Sequence, residues 1–354
     1  YLDEFTAEEL RGYAEKAYGP NKFDTPAVAP LVKVGERTHV LELWHGPTCA
    51  FKDMALQMLP YLLTASLRKT GETRTACILV ATSGDTGKAA LEGFRDVPHT
   101  KILVFYPRDG VSDVQKLQMV TQEGGNVGVC AVEGNFDDAQ TGVKKIFSDP
   151  AVREAMNARG CFFSSANSIN WGRVLPQIAY YVSAYCDLVA SGQLASGQTV
   201  NVCVPTGNFG NILAAYYAKM MGVPFGKLIC ASNANNVLTD FIRTGVYDRN
   251  RPFYCTSSPS MDILISSNLE RLLYLFTGSD EIVRGYMRQL NETGRYEVSA
   301  DVLAQIQAHF DCGFCGDTGT EKTIGDVFAD WDYLPDTHTA VAWNVLRAWR
   351  AQSG

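Results

Sequence analysis

The sequence predicts an α/β protein made of two doubly wound, mostly parallel sheet units, with helical segments at its N- and C-terminal ends. Three observations carry this reading. Short continuous apolar runs alternate with segments of helical period, the pattern of strands covered on both faces. The alternation falls into two groups, one before and one after about Asn167. Several runs stop at turns rich in Gly, Ser, Thr and Asn directly before a helix, which is where open α/β sheets bind ligands.

In chain order, 5–17 carries charges and apolar positions at helical spacing, with Thr6 and Glu9 set as a capping box. A loop rich in Pro, Asp and Asn spans 20–30. A strand-like run, 40–44, ends at Gly46-Pro47, and Lys52 stands where a helix begins; 55–67 continues that helix with Leu at a 3.6-like period. The first alternating group has strands at 76–81, 101–106, 127–132 and 161–164, with a helix starting at 88–91 and helices at 113–122 and 135–147. A long helix, 171–190, leads to strands at 199–204 and 227–231 with a helix to Lys219 between them, and the chain after Pro252 reads as mostly helical. These segments divide into an N-terminal stretch, 1–48, packing on the large domain, a smaller α/β domain, 49–165, and a larger one, 166–354.

Composition narrows the partners. With 46% hydrophobic and 19% charged residues in 354, the chain can bury a sizeable core. Its net charge of −7 and the lack of any Lys/Arg-rich run speak against nucleic acid and against an anionic membrane, and no apolar run is long enough to span a bilayer. Ten scattered cysteines in apolar surroundings suit free thiols in a reducing, cytoplasmic compartment. Cys312 and Cys315 form a single CxxC without a second pair, so no metal site is expected.

Four stretches carry the candidate chemistry. Lys52 lies at a strand–helix junction between apolar and aromatic neighbours; buried there, its amine would lose affinity for its proton and could bond an aldehyde carbon as a Schiff base. Read alone it fits an ordinary surface lysine in a first helical turn better, because buried lysines are rare. Ser83-Gly84-Asp85-Thr86-Gly87 links a strand to a helix and offers N–H and hydroxyl donors, while the Asp85 carboxylate repels an anion and suits orienting an amine or a hydroxyl. Gly207-Asn208-Phe209-Gly210-Asn211 has neither the dinucleotide fingerprint nor a P-loop lysine; it fits an anion cradle sized for one phosphate. The polar stretch 164–173 brings Arg173 into the first turn of a helix, where the macrodipole opposes it unless an anion is bound. Each turn is also compatible with a plain capped βα connection. Together, a Schiff-base lysine, a one-phosphate cradle and a second anion site point to pyridoxal phosphate acting on a charged substrate.

HGPTCAFKD (45–53), ATSGDTGKAA (81–90), SANSINWGRVLPQ (165–177), PTGNFGNILAAYYAK (205–219) and SPSMDILISSNLERL (258–272) resemble the threonine synthase family in content and order. That family belongs to the tryptophan-synthase-β-like, fold type II pyridoxal phosphate enzymes. The resemblance implies pyridoxal 5'-phosphate in the cleft between the two units and conversion of O-phospho-L-homoserine and water to L-threonine and phosphate, the last step of threonine biosynthesis. It implies Lys52 as the catalytic, cofactor-bearing lysine with Phe51 beside the ring. Ser83 and Asp85 would meet the cofactor, and Gly207, Asn208, Phe209, Gly210 and Asn211 would hold its phosphate. Thr86, Asn167, Ser168, Asn170 and Arg173 would meet the substrate. The family runs on past the segment resembling 335–341 to a further threonine-bearing motif that does not follow here, so the larger domain is expected to be C-terminally incomplete. Sister enzymes acting on threonine or acetylserine, a phosphohomoserine phospho-lyase and a non-catalytic ligand-binding homologue remain alternatives. The role of His45 stays open between a contact in the site and a support for the Gly46-Pro47 turn.

Overall fold

A computed structural model describes residues 4–82, 84–109, 111–134 and 136–353. It resolves two compact units: one takes in the chain up to Val32 together with Val40–Gln177, the other Lys33–His39 together with the chain from Ile178.

The first unit opens with α1 (Ala7–Tyr18), whose Thr6–Glu9 capping box closes both ways as the sequence predicts. Strands β1 (Leu31–Lys33) and β2 (His39–Leu41) form a two-stranded ribbon. Helices α2 (Asp53–Leu56) and α3 (Leu59–Lys69) replace the single helix expected over 55–67. The break falls ahead of Pro60, which lacks an N–H and is accommodated only in a first helical turn. Then follow β3 (Thr75–Ala81), α4 (Asp85–Phe94), β4 (Thr100–Pro107), α5 (Asp113–Val120), β5 (Val127–Val132), α6 (Phe136–Ser148), α7 (Pro150–Ala158), β6 (Cys161–Ser165) and α8 (Trp171–Ala190). The four long strands form one parallel sheet in the order β5-β4-β3-β6.

Alternation along the strands assigns the two faces. Ile78, Val80, Ile102 and Val104 pack with Ala89, Ala90, Leu91 and Phe94 of α4, and with Leu56 and Leu59. Leu79, Ala81, Leu103 and Phe105 pack with Ala139, Val143, Ile146 and Phe147 of α6. This unit is therefore doubly wound, and the apolar strand runs are explained by burial on both sides. The N-terminal segment divides between the units: α1 packs on α3 of this one, whereas Lys33–His39 belongs to the second, where Arg350 Nη1 donates to the Thr38 hydroxyl at 2.8 Å. Tyr13 stacks on Tyr61 with ring centroids 6.2 Å apart, and Lys69 Nζ lies 2.9 Å from Glu9. The unit boundary likewise falls inside α8, between Gln177 and Ile178, rather than at 165/166.

The second unit contains β7 (Val200–Pro205), α9 (Gly210–Met220), β8 (Phe225–Ser232), α10 (Val237–Thr244), β9 (Val246–Asp248), α11 (Leu269–Thr277), α12 (Asp280–Thr293), β10 (Arg295–Glu297), α13 (Ala300–His309), β11 (Phe310–Phe314), α14 (Asp317–Trp331) and α15 (Thr337–Ser353). Its sheet runs β11-β8-β7, all parallel. Strand β11 is absent from the sequence reading because Asp311 and Gly313 interrupt the apolar run that marked the others. Strands β9 and β10 pair antiparallel, with Tyr247 opposite Tyr296. Ile229 and Ala231 pack with Met261, Cys315 and α15 through Val341, Ala342 and Val345.

One close approach in the first unit sets where the site can lie. The end of α2 rests on α4 at Gly93, where an added Cβ would stand 2.1 Å from the Leu56 carbonyl oxygen. Alanine would gain about 1 kcal/mol of helix propensity there, but the overlap is with backbone that cannot rotate away. Gly93→Ala is expected to lower stability by about 1–3 kcal/mol net, read as a lower urea midpoint. An unchanged midpoint would mean that α2 is not seated on this glycine.

Candidate active site

Lys52 forms the N-terminal boundary of α2 and is 9% exposed. The turn before it is closed by the next residue: the carboxylate of Asp53, fully buried, accepts from the Thr48 N–H at 2.8 Å and the Thr48 hydroxyl at 2.7 Å. Burial pushes the Asp53 carboxyl up, and the Thr48 hydrogen bonds counter part of that shift. Lys52 Nζ then meets Asp85 Oδ2 at 3.2 Å and lies 4.7 Å from the centre of the Phe51 ring. Asp85 is the first residue of α4, and its other oxygen accepts from Gln115 Nε2 at 2.8 Å.

An amine, a carboxylate and an amide thus converge from the starts of α2 and α4 and from α5. The carboxylate faces the amine at 3.2 Å, a contact compatible with the orienting role its sequence context favours. Thr82 Oγ1 accepts from the N–H groups of Gly84 and Gly87, both at 2.9 Å, and shapes the same turn. Thr86 follows, half-buried in the first turn of α4. Ser83 lies outside the described residues.

The 165–173 stretch is braced by its own side chains. Asn167 Nδ2 donates to the Ala81 carbonyl at the end of β3, 2.8 Å away. Asn170 donates to the Ser165 carbonyl at 2.8 Å and accepts from the Gly172 N–H at 2.9 Å, so both ends of its amide are committed to the turn. Ser168 lies between them, half-buried. Arg173 is buried in the first turn of α8: Nη1 donates to the Ala166 carbonyl at 2.6 Å, while Nε has no partner among the described residues. Desolvation pulls its pKa down to about 10, so it keeps its charge at neutral pH. A buried guanidinium with an unused donor is a fitting receptor for an anion.

In the second unit, the Gly207–Asn211 turn enters α9. Phe209 adopts the left-handed conformation at φ 63° and precedes the helix, and no side chain caps the helix start. The first N–H groups of a helix lack intrahelical acceptors, so this turn presents uncapped donors together with the positive end of the macrodipole. Gly207 admits no side chain: a Cβ would stand 2.8 Å from the Ser260 carbonyl oxygen. Among these residues Phe209 contributes backbone only, since its side chain is 1% exposed and packs on Phe310 at 5.6 Å. Asn211 Oδ1 accepts from the hydroxyls of Tyr180 at 2.7 Å and Tyr181 at 2.5 Å, which fixes its amide orientation. Taken unit by unit, a cradle of bare N–H groups backed by glycine offers the donors a phosphate needs, and a lysine held by a carboxylate offers the amine an aldehyde needs.

The sequence carried no sign of Gln115, Tyr180 or Tyr181. The Ser112–Gln115 capping box of α5 marks Gln115 as a capping residue but not as a partner of Asp85. Cys312 and Cys315 are free thiols; Cys312 Sγ points at the Thr239 carbonyl.

A family profile described as "Pyridoxal-phosphate dependent enzyme" matches residues 23–287. The chain belongs to this family. It is similar to "Threonine synthase-like 1" of Macaca fascicularis, 44% identical over 344 residues that cover 95% of this chain and 46% of that protein. It is also similar to the threonine synthase of Eremothecium gossypii, 40% identical over 364 residues covering 96% of this chain and 69% of that one. Among solved structures it resembles the PLP-bound threonine synthase from Brucella melitensis at a TM-score of 0.87 and 41% identity, covering 97% of this chain and 71% of that one. The chain therefore spans about half the length of the threonine synthase-like relative and about 70% of the threonine synthases. Pyridoxal 5'-phosphate is the cofactor of the family.

His45 stands just ahead of the lysine turn. Its Nδ1 lies 2.6 Å from Asp24 and its Nε2 2.9 Å from Glu42, and its ring stacks on Trp44 at 3.9 Å. Burial opposes its charge, but the hydrogen bonds to Glu42 and Asp24 outweigh that and raise its pKa. A histidine raised in the folded state adds stability that is complete below its unfolded pKa of about 6.5 and is lost as pH climbs through the raised value. The thermal midpoint is expected to fall more steeply with pH, from about 6.5 upward, in the wild-type chain than in His45→Gln. Parallel curves would show that the Asp24–His45–Glu42 group carries no linked stability.

Proposed function

We propose that the chain converts O-phospho-L-homoserine and water to L-threonine and phosphate as a pyridoxal phosphate-dependent carbon–oxygen lyase of threonine biosynthesis. The observation that carries the reading is Lys52, a buried amine at the start of α2 aimed at Asp85 and flanked by Phe51.

Bound pyridoxal phosphate supplies an electron sink that makes a proton on the carbon beside the substrate amine removable. Lys52 would hold the cofactor through its amine, and Phe51, whose ring centre lies 4.7 Å from Nζ, would flank it. Lys52 Nζ would also serve as the acid–base group of the site, its position held by Asp85. Asp85 stabilises the ammonium that forms when Nζ takes that proton, and Gln115 keeps the carboxylate aimed. Gly207, Asn208, Phe209, Gly210 and Asn211 hold the cofactor phosphate through backbone N–H groups and the oriented Asn211 amide. Ser83, outside the described residues, is proposed as a cofactor contact on the resemblance alone. Arg173, with Thr86, Asn167, Ser168 and Asn170, receives the anionic groups of the substrate; the unused Arg173 Nε supports an anion there. The substrate and the cofactor are the small-molecule partners. Among the described residues, no helix is long and apolar enough to cross a membrane. Free cysteines support residence in the cytoplasm.

The chain loaded with cofactor is expected to release threonine and phosphate in equal amounts from phosphohomoserine. Appearance of 2-oxobutyrate instead would identify a phospho-lyase, and binding without turnover a ligand-binding homologue. Borohydride is expected to fix the cofactor covalently to the wild-type chain and not to Lys52→Ala. A trapped cofactor on the variant would remove Lys52 from its role.

A further inference from the structure

The segment Ser266-Ser267-Asn268 has no role in the function proposed above, yet it is one of the places where buried polar groups gather in the second unit. Asn268 is fully buried and Ser266 is 8% exposed. Their contacts converge on the turn before α9. The Ser266 hydroxyl donates to the Gly207 carbonyl at 3.0 Å. Asn268 donates twice to the Asn208 carbonyl, from its backbone N–H at 3.2 Å and from Nδ2 at 3.0 Å. The Ser267 hydroxyl donates to Asn208 Oδ1 at 3.2 Å.

A trans peptide fixes what this does. Its C=O and N–H point in opposite directions across a rigid plane. Holding the Gly207 and Asn208 carbonyls toward 266–268 therefore turns the N–H groups of Asn208 and Phe209 to the opposite side. Two successive amide donors aligned in this way, ahead of an uncapped helix, make an anion-binding nest. The anchor is itself fixed. The Ser266 N–H donates to the Tyr247 hydroxyl at 2.8 Å, and Tyr247 is stacked on Tyr296 in the β9–β10 pair. The arrangement has a cost. Asn268 Oδ1 is buried without a partner among the described residues, so an apolar side chain of the same shape would suit the interior better.

We infer that Asn268, assisted by Ser266, is the positioning residue of the phosphate cradle: it aims the Asn208 and Phe209 N–H groups at the cofactor phosphate without touching that phosphate itself. The inference rests on the cofactor reading proposed above and goes further, since it assigns the selection of the phosphorylated form of the cofactor to residues outside the glycine-framed turn.

The test compares the affinity of the full chain for pyridoxal phosphate with its affinity for pyridoxal, which has the aldehyde and lacks the phosphate. Wild type is expected to prefer the phosphorylated form. Asn268→Leu keeps the heavy-atom branching and the backbone N–H bond and relieves the unpartnered oxygen, so its thermal midpoint is expected to hold. Its preference for pyridoxal phosphate over pyridoxal is expected to fall roughly ten-fold, with pyridoxal affinity unchanged. Ser266→Ala, the milder change, is expected to shift the ratio the same way by a smaller factor. A ratio that stays at the wild-type value in both variants, or a parallel loss of both affinities, would overturn the positioning role. A wild-type chain with no preference for the phosphorylated form would overturn the cofactor reading itself, and the inference with it.

Discussion

A lysine ammonium at the N-terminal end of a buried helix faces two penalties, loss of hydration and the positive end of the macrodipole. In this chain one carboxylate answers both. Asp85 meets Lys52 Nζ, and much of the first unit serves to keep that meeting in place. Asp85 is fixed because it begins α4, whose apolar face fills one side of the parallel sheet. Lys52 is fixed because α2 rests on α4 at Gly93 and because Asp53 ties off the preceding turn through Thr48. Gln115 holds the second oxygen of Asp85, which leaves the first for the amine. The pair is weak evidence for stability, since a buried ion pair rarely repays its desolvation. It makes sense as a device that keeps a reactive amine in one position.

The parts of this architecture readable from sequence are those whose physics is local. The capping box of α1 and the extent of α8 follow from short-range pattern. Strands β3, β4 and β5 were legible because burial on both faces demands an unbroken apolar run. Strand β11 was not, because Asp311 breaks the run; its side chain takes a hydrogen bond from Trp349 of α15, 38 residues on. The split between α2 and α3 turns on Pro60, which the apolar period alone conceals.

At the site the same line divides chemistry from pairing. The sequence allowed that Asp85 would orient an amine but could not say which one, since Lys52 lies 33 residues away. Phe209 reads as a binding residue, but only its backbone is left for that role, because its ring packs against Phe310. The bonds from 266–268 to the Gly207–Asn208 turn link residues about 60 positions apart, and nothing local in a Ser-Ser-Asn triplet announces them.

The two units meet their electrostatic tasks by different means. The first uses titratable side chains: Lys52, Asp85, His45 between two carboxylates, and a buried arginine whose pKa is pulled down by desolvation. The second uses peptide dipoles and amides, which keep the same charge distribution at any pH in which the fold survives. Proton transfer requires groups that change charge; a phosphate anchor does not. A cradle made of lysines would hold a phosphate equally well, but its grip would vary with every neighbouring titration. Peptide N–H groups aligned by their own carbonyls avoid that dependence. If the Gly207–Asn211 turn holds the cofactor phosphate as proposed, the protein's side of that contact keeps its charge distribution as pH changes.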